Sequence, residues 1–174
     1  MSKTPLFILT GQVQSGKTSL LARICAEMTK QGWVLNGLLS QAYFKEERFS
    51  GYNGHDLYTG ATFPLIRTKG EPEWDHIGRF YFLPEGMKKA KDSILAVKTA
   101  RLTVIDEMGP LELADGGFWK PFLKLEKLGQ PMLVVIREEL LAAFSTRFKH
   151  PPIVYRREQA DIAEALKSGI IKGT

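Results

Sequence analysis

The chain has 174 residues, of which 44% are hydrophobic and 25% charged, with a net charge of +5. That is about one ordinary domain, long enough to bury roughly 70% of its unfolded surface, and the composition excludes disorder, collagen and a coiled coil as readings of the whole. No apolar run approaches the ~20 residues a membrane span needs. The positive excess comes without a long block of like charge, so it reads as a solvated surface and implies no nucleic acid.

In chain order, the first apolar run is Leu6–Leu9, ending at Thr10 and Gly11. It is too short for a secretory h-region. Leu20, Leu21, Ile24, Cys25 and Met28 then recur on one helical face until Gly32. Cys25 is the only cysteine. It can form no internal disulfide and reads as a buried thiol, which makes a reducing cytoplasm the expected compartment. Val34–Leu39 is a second apolar segment that leads into Tyr43 and Phe44. Residues 45–67 differ: Gly51, Gly54 and Gly60 punctuate short runs holding Phe49, Tyr52, Leu57, Tyr58, Phe63 and Ile66. This pattern predicts an inserted β-hairpin or meander, and the glycine segment is expected to form a flap over the ligand.

Arg79–Leu83 is another candidate strand. After Pro84, Met87, Ala90, Ile94 and Val97 form the apolar stripe of a helix, with Lys88, Lys89, Lys91 and Lys98 toward solvent. Leu102–Ile105 is a buried strand ending in Asp106 and Glu107. Phe118, Phe122, Leu125 and Leu128 mark a helix stopped by Gly129, and Met132–Ile136 is a further buried strand. Leu140–Phe144 reads as a short helix, Ile153–Tyr155 as a last strand, and Gln159–Lys167 as a terminal helix ended before Gly169. Apolar strands alternating with helices predict an α/β, three-layer fold with a mostly parallel sheet covered on both faces. The expected organisation is a single domain over residues 1–174 with the β insertion at about 45–67. Such sheets bind ligands beyond the carboxyl ends of their strands.

The sharpest motif lies at the end of the first strand. Gly11-Gln12-Val13-Gln14-Ser15-Gly16-Lys17-Thr18 fits G-x-x-x-x-G-K-[ST]. Glycines let the backbone curl so that successive N–H groups face a phosphate, and the following helix adds the positive end of its dipole. Gly11, Gln12, Val13, Gln14, Ser15, Gly16, Lys17, Thr18 and Ser19 are therefore the candidate nucleotide-binding stretch. Lys17 can reach the β- and γ-phosphates and serve catalysis, and the Thr18 hydroxyl can ligate Mg²⁺.

The second motif is the acid pair. Asp106 and Glu107 end an apolar strand, so both can converge on a nucleotide if this strand lies near the first. Asp106 is the candidate metal ligand. Glu107 is the candidate base that orients and deprotonates an attacking water. Arg137 follows the Met132–Ile136 strand and is the candidate cationic finger, with Arg147, Arg156 and Arg157 as weaker ones. His55, His76 and His150 show no metal-ligand spacing and receive no role.

Asp106-Glu107-Met108-Gly109-Pro110-Leu111-Glu112-Leu113 resembles the Asp-Glu-Ile-Gly-Lys-Met-Glu-Leu signature of the small P-loop nucleoside-triphosphatase family. Gly51-Tyr52-Asn53-Gly54-His55-Asp56-Leu57-Tyr58-Thr59-Gly60 is similar to that family's Gly-Phe-Asp…Asp-Leu…Gly segment. The resemblance implies a P-loop fold of the branch that carries a catalytic glutamate. It also implies Mg²⁺-dependent hydrolysis of nucleoside triphosphates with loose base selectivity. Gly11, Gly16, Lys17 and Thr18 match its phosphate positions, and Asp106 and Glu107 its metal and water positions. Three departures stand out: Gln14 replaces a usual Gly, Pro110 replaces Lys, and Tyr155-Arg156-Arg157 sits near the family's Asn-Arg-Asp stretch. The expected partner is a nucleoside triphosphate, with no membrane. A nucleotide or small-molecule kinase, or a nucleotide-dependent switch, would need the same loop and metal.

Overall fold

In the computed structural model, which describes residues 5–12, 15–96 and 99–173, the uninterrupted apolar runs become central strands. A strand covered on both faces has no side to give to water. The elements are β1 (Leu6–Gly11), α1 (Lys17–Lys30), β2 (Leu35–Lys45), β3 (Arg48–Asp56), β4 (Thr62–Arg67), β5 (His76–Ile77) and β6 (Phe80–Phe82). There follow α2 (Pro84–Leu95), β7 (Leu102–Met108), α3 (Pro110–Leu113), α4 (Trp119–Leu128), β8 (Met132–Arg137), α5 (Glu138–Ser145), β9 (Ile153–Arg156) and α6 (Ile162–Gly173). Val13 and Gln14 of the expected phosphate loop, and Val97 and Lys98 beyond α2, lie outside the described residues.

One sheet holds nine strands in the order β5-β6-β4-β3-β2-β7-β8-β1-β9. It is parallel from β2 to β9 and antiparallel from β2 outward to β5. β2 joins the halves. Leu35–Leu38 pair with β7, and the strand then runs on past the end of that pairing to carry β3. The inserted meander is thus a continuation of the same sheet, and it extends to Phe82 rather than stopping near residue 67.

Two apolar clusters sandwich the sheet. α2, α4 and α5 cover one face, where Ile105, Val134, Ile94, Phe122 and Phe144 are fully buried. α1 and α6 cover the other, with Leu9, Leu21, Met28, Val104 and Leu166. Cys25 is buried on that second face, and burial pushes its thiol up to about 12, so it is inert. Among the described residues no helix is long and apolar enough to cross a membrane.

Two expectations change, and one element is new. The glycine segment is no free flap: most of it is β3, hydrogen-bonded between β2 and β4, with only its last residues in a turn. Strand pairing on both sides leaves that backbone no freedom to swing. The terminal helix begins at Ile162 and runs through Gly169. Gly169 permits close packing there instead of ending the helix, since a Cβ would meet the Phe7 ring at 2.8 Å. Finally, Pro110–Leu113 forms the short helix α3, which apolar periodicity is too brief to reveal.

A buried polar knot fixes α2 against the sheet. Asn36 donates to the carbonyls of Ser93 (3.2 Å) and Ile94 (3.0 Å) at the end of α2, and accepts from the Thr103 hydroxyl at 2.6 Å. The Ser93 hydroxyl in turn donates to Asp56 at 2.6 Å. Asn36 and Thr103 have no exposed surface. Asn36→Ala would leave the Ile94 carbonyl and the Thr103 hydroxyl unsatisfied in the interior, and the Ser93 carbonyl with only the Ala96 amide at 3.4 Å. It is expected to lower stability by about 2–4 kcal/mol, read as a shifted midpoint in chemical denaturation with an unchanged m-value.

Candidate functional site

The ends of β1 and β7 are not neighbours: β8 lies between them. Ile8 and Ile105 both register with Val134, so the two strand ends are level and about 10 Å apart, two strand spacings. The Thr10 hydroxyl, donating to Ile136 O at 2.8 Å, ties the end of β1 to β8. This places the Gly11–Thr18 loop and the acid pair on one edge, facing each other across a single strand.

Gly16 takes the left-handed conformation, φ 79°, immediately before α1. A side chain resists that conformation and glycine does not. Lys17 begins the helix and is 7% exposed. Its ammonium donates back to the carbonyls of Gln12 (2.5 Å) and Gly11 (3.2 Å). Burial holds its pKa below the usual range, with the Glu107 carboxylate opposing that shift. Ser15 Oγ is buried and has no hydrogen-bond partner among the described residues. An orphaned hydroxyl beside a curled glycine loop suits an incoming phosphate oxygen. Gln12 is exposed, and Ser19 is exposed on the first turn of α1.

Asp106 is 2% exposed. Its carboxylate accepts from the Ser40 amide at 3.0 Å and from the Thr18 hydroxyl at 3.4 Å, while Ser40 Oγ donates to its backbone carbonyl at 2.7 Å. Burial pushes its pKa up to about 7 against those two hydrogen bonds. Thr18 and Asp106 thus bring a hydroxyl and a carboxylate oxygen together. These are hard donors of the kind Mg²⁺ takes.

In a regular strand, adjacent acids would point to opposite faces. Here pairing passes from Ile105↔Val134 to Met108↔Ile136, so β7 carries one extra residue at the acid pair. Glu107 has φ 152°, which L side chains rarely adopt. This bulge turns Asp106 toward β2 and α1, and Glu107 toward the end of β8. There Arg137 Nε donates to Glu107 Oε1 at 2.5 Å, with both side chains about one-third exposed, at 37% and 36%.

The other arginines part ways. Arg147 donates to the carbonyls of Glu112 (2.9 Å) and Leu113 (3.0 Å), pairs with Asp115 and lies over the Trp119 ring. These contacts secure α3. Arg156 pairs with Glu138. Arg157 lies against Gly16.

Two contributors escaped the sequence reading. Ser40 is the polar residue that ends the apolar run 34–39, and only strand pairing puts it beside Asp106. Glu112 is buried, accepts from the amides of Gly109 (2.8 Å) and Phe118 (2.9 Å), and shapes the turn after the acid strand. Its signal was present: a Glu three residues after Gly109, with Pro110 at the first helical position, is a helix-start pattern. Tyr52 of β3 is also near, since burial and then the Glu107 carboxylate raise its phenol above the usual range.

A family model described as NTPase matches residues 6–159. The chain is similar to nucleoside-triphosphatase THEP1 of Methanopyrus kandleri, 26% identical over 153 residues, which span 87% of this chain and 79% of that protein. It is also similar to the THEP1 of Pyrococcus abyssi, 28% identical over 138 residues, 78% of this chain and 75% of that one. Its fold matches the solution structure of a human cancer-related nucleoside triphosphatase with a TM-score of 0.71 at 19% identity, covering 97% of this chain and 96% of the other. The crystal structure of THEP1 from Aquifex aeolicus matches with a TM-score of 0.61 at 16% identity, over 94% and 97% of the two chains.

Burial makes the charged form of the Asp106 carboxylate unfavourable in the folded chain. In Asp106→Asn, the side-chain carbonyl oxygen can take the place of Oδ2 and accept from the Ser40 amide, and the NH₂ can take the place of Oδ1 and donate to the Thr18 hydroxyl oxygen, while the buried charge is gone. In chelator, this variant is expected to be more stable than wild type by on the order of 1–3 kcal/mol. Thermal melting at pH 8 measures the gain, and triphosphate turnover should be lost in the same variant.

Proposed function

The chain belongs to this NTPase family, and from that premise we propose that it hydrolyses ATP, GTP and other nucleoside triphosphates, with Mg²⁺, to the diphosphate and phosphate. The observation that carries this reading is Glu107. It is a partly exposed carboxylate one residue past Asp106, turned away from it by the bulge and held by Arg137.

The loop amides and Lys17 bind the β- and γ-phosphates, and the Lys17 ammonium exchanges its present carbonyl partners for phosphate oxygens. Thr18 and Asp106 would hold Mg²⁺, which supplies positive charge against the phosphate oxygens. Glu107 accepts a proton from the water that attacks the γ-phosphorus. The bond from that phosphorus to the β-bridging oxygen breaks, and the diphosphate departs. Arg137 orients the Glu107 carboxylate and adds positive charge on the γ side. The broad substrate range rests on a loop that reads phosphate alone.

Two variants test the reading. Glu107→Gln keeps size and hydrogen bonding but cannot take the proton. It is expected to bind Mg²⁺–ATP about as wild type does and to lose at least about 100-fold in single-turnover phosphate release, within the usual range for a positioned base. Near-normal release would remove Glu107 as the base and the hydrolase mechanism with it. Lys17→Ala is expected to weaken triphosphate binding by about 10- to 100-fold, the equivalent of one charge-assisted hydrogen bond. Equilibrium titration with a non-hydrolysable analogue measures this.

A further inference from the structure

We propose that Arg157 binds the diphosphate end of the nucleotide, the part that leaves as product. The proposal rests on the loop being the triphosphate site. β9 flanks β1 on the side away from β8 and β7, and Arg156 is in register with Thr10. Arg157 therefore stands one residue beyond the strand end, level with Gly11 and across the loop from Glu107. A Cβ placed on Gly16 would be 3.7 Å from Arg157 Nη2, 3.9 Å from Cζ and 4.0 Å from Nε. The guanidinium plane thus lies broadside against the glycine that precedes Lys17.

The charge there is unspent. Arg137 is taken by Glu107, Arg147 by the α3 carbonyls and Asp115, and Arg156 by Glu138. Arg157 is exposed and has no hydrogen bond or ion pair among the described residues. A cation next to the amino end of α1 and to Lys17 meets like charge and an unfavourable dipole. An anion in the loop attracts both cations and the helix end, and so offsets this repulsion. The guanidinium fork matches phosphate geometry, and its flank selects which phosphates it meets. The γ-phosphate must face Glu107, so Arg157, on the opposite flank, meets the α- and β-phosphates. Arg137 and Arg157 then divide the substrate between them, one at the group transferred and the other at the group that remains.

The test measures equilibrium binding of Mg²⁺–ADP, a non-hydrolysable Mg²⁺–ATP analogue and pyrophosphate to wild type, Arg157→Ala, Arg157→Lys, Arg156→Ala and Lys17→Ala. Arg157→Ala is expected to weaken all three ligands about tenfold, a step of about 1.4 kcal/mol. Its KM should rise by a similar factor, with kcat kept or raised because product leaves faster. Arg157→Lys should recover part of the loss. Arg156→Ala, which removes the same charge one residue away, should leave binding within about twofold, a change of about 0.4 kcal/mol. Four results overturn the proposal. Unchanged ADP and pyrophosphate affinity in Arg157→Ala would do so, as would an equal loss in Arg156→Ala. A loss for the ATP analogue but not ADP would put Arg157 at the γ-phosphate, and a loss for ADP but not pyrophosphate would put it on the nucleoside. Lys17→Ala separates the two readings. If it alone weakens ADP, this inference fails and the hydrolase reading stands; if it leaves ADP unchanged, both fail.

Discussion

Withdrawing a carboxylate from water carries a penalty of several kcal/mol unless donors or a cation meet it, and Asp106 is 2% exposed. Its partners come from two elements far apart in sequence. Ser40 supplies an amide from β2, and Thr18 a hydroxyl from the first turn of α1. The order β2-β7-β8-β1 is what lets both reach it. β2 must lie beside β7 to present Ser40, and the loop must arrive from beyond β8 to present Thr18. The same contact ties the inserted half of the sheet to the Gly11–Thr18 segment through Ser40, Asp106 and Thr18.

Strain is concentrated beside that carboxylate. The extra residue in β7 and the φ of 152° at Glu107 break a ladder that is regular on either side. Conformations of this kind are unfavourable by about 1–3 kcal/mol and persist where the surroundings fix them. Here the fixing groups are plain. Thr10 clasps the end of β8, Glu112 holds the turn through the amides of Gly109 and Phe118, and Arg147 caps the carbonyls of α3. Without the bulge, one of the two acids would point into the apolar layer under α2 or under α1. With it, one carboxylate faces the hydroxyl of Thr18 and the other the guanidinium of Arg137.

The second half of the sheet has its own polar anchor. Asn36, Thr103, Ser93 and Asp56 form a buried chain of hydrogen bonds from β2 and β7 through the end of α2 to β3. It fixes α2 over the junction where the sheet changes from parallel to antiparallel. Beyond that junction β2 and β3 run on together past the ends of the parallel strands, and Tyr52 stands close enough to sense Glu107.

The sequence by itself determined whatever depends on consecutive residues. The loop Gly11–Thr18, the acid pair at the end of an apolar run, the alternation of strands and helices and the Gly129 stop are local, because backbone conformation and periodicity are set by near neighbours. These were enough to indicate the fold class and the family. Tertiary structure alone decided which distant residues meet. The placing of β8 between loop and acids, Ser40 against Asp106, Arg137 against Glu107, the partners of Arg147 and Arg156, and the position of Arg157 beside Gly16 depend on residues far apart in sequence, with no imprint on local pattern. The glycine segment shows the same limit from the other side. Its glycines resemble those of a flexible flap, yet strand partners on both sides make most of it a fixed part of the sheet. Hydrogen bonds to other strands overrode local conformational freedom, and no local signal records them.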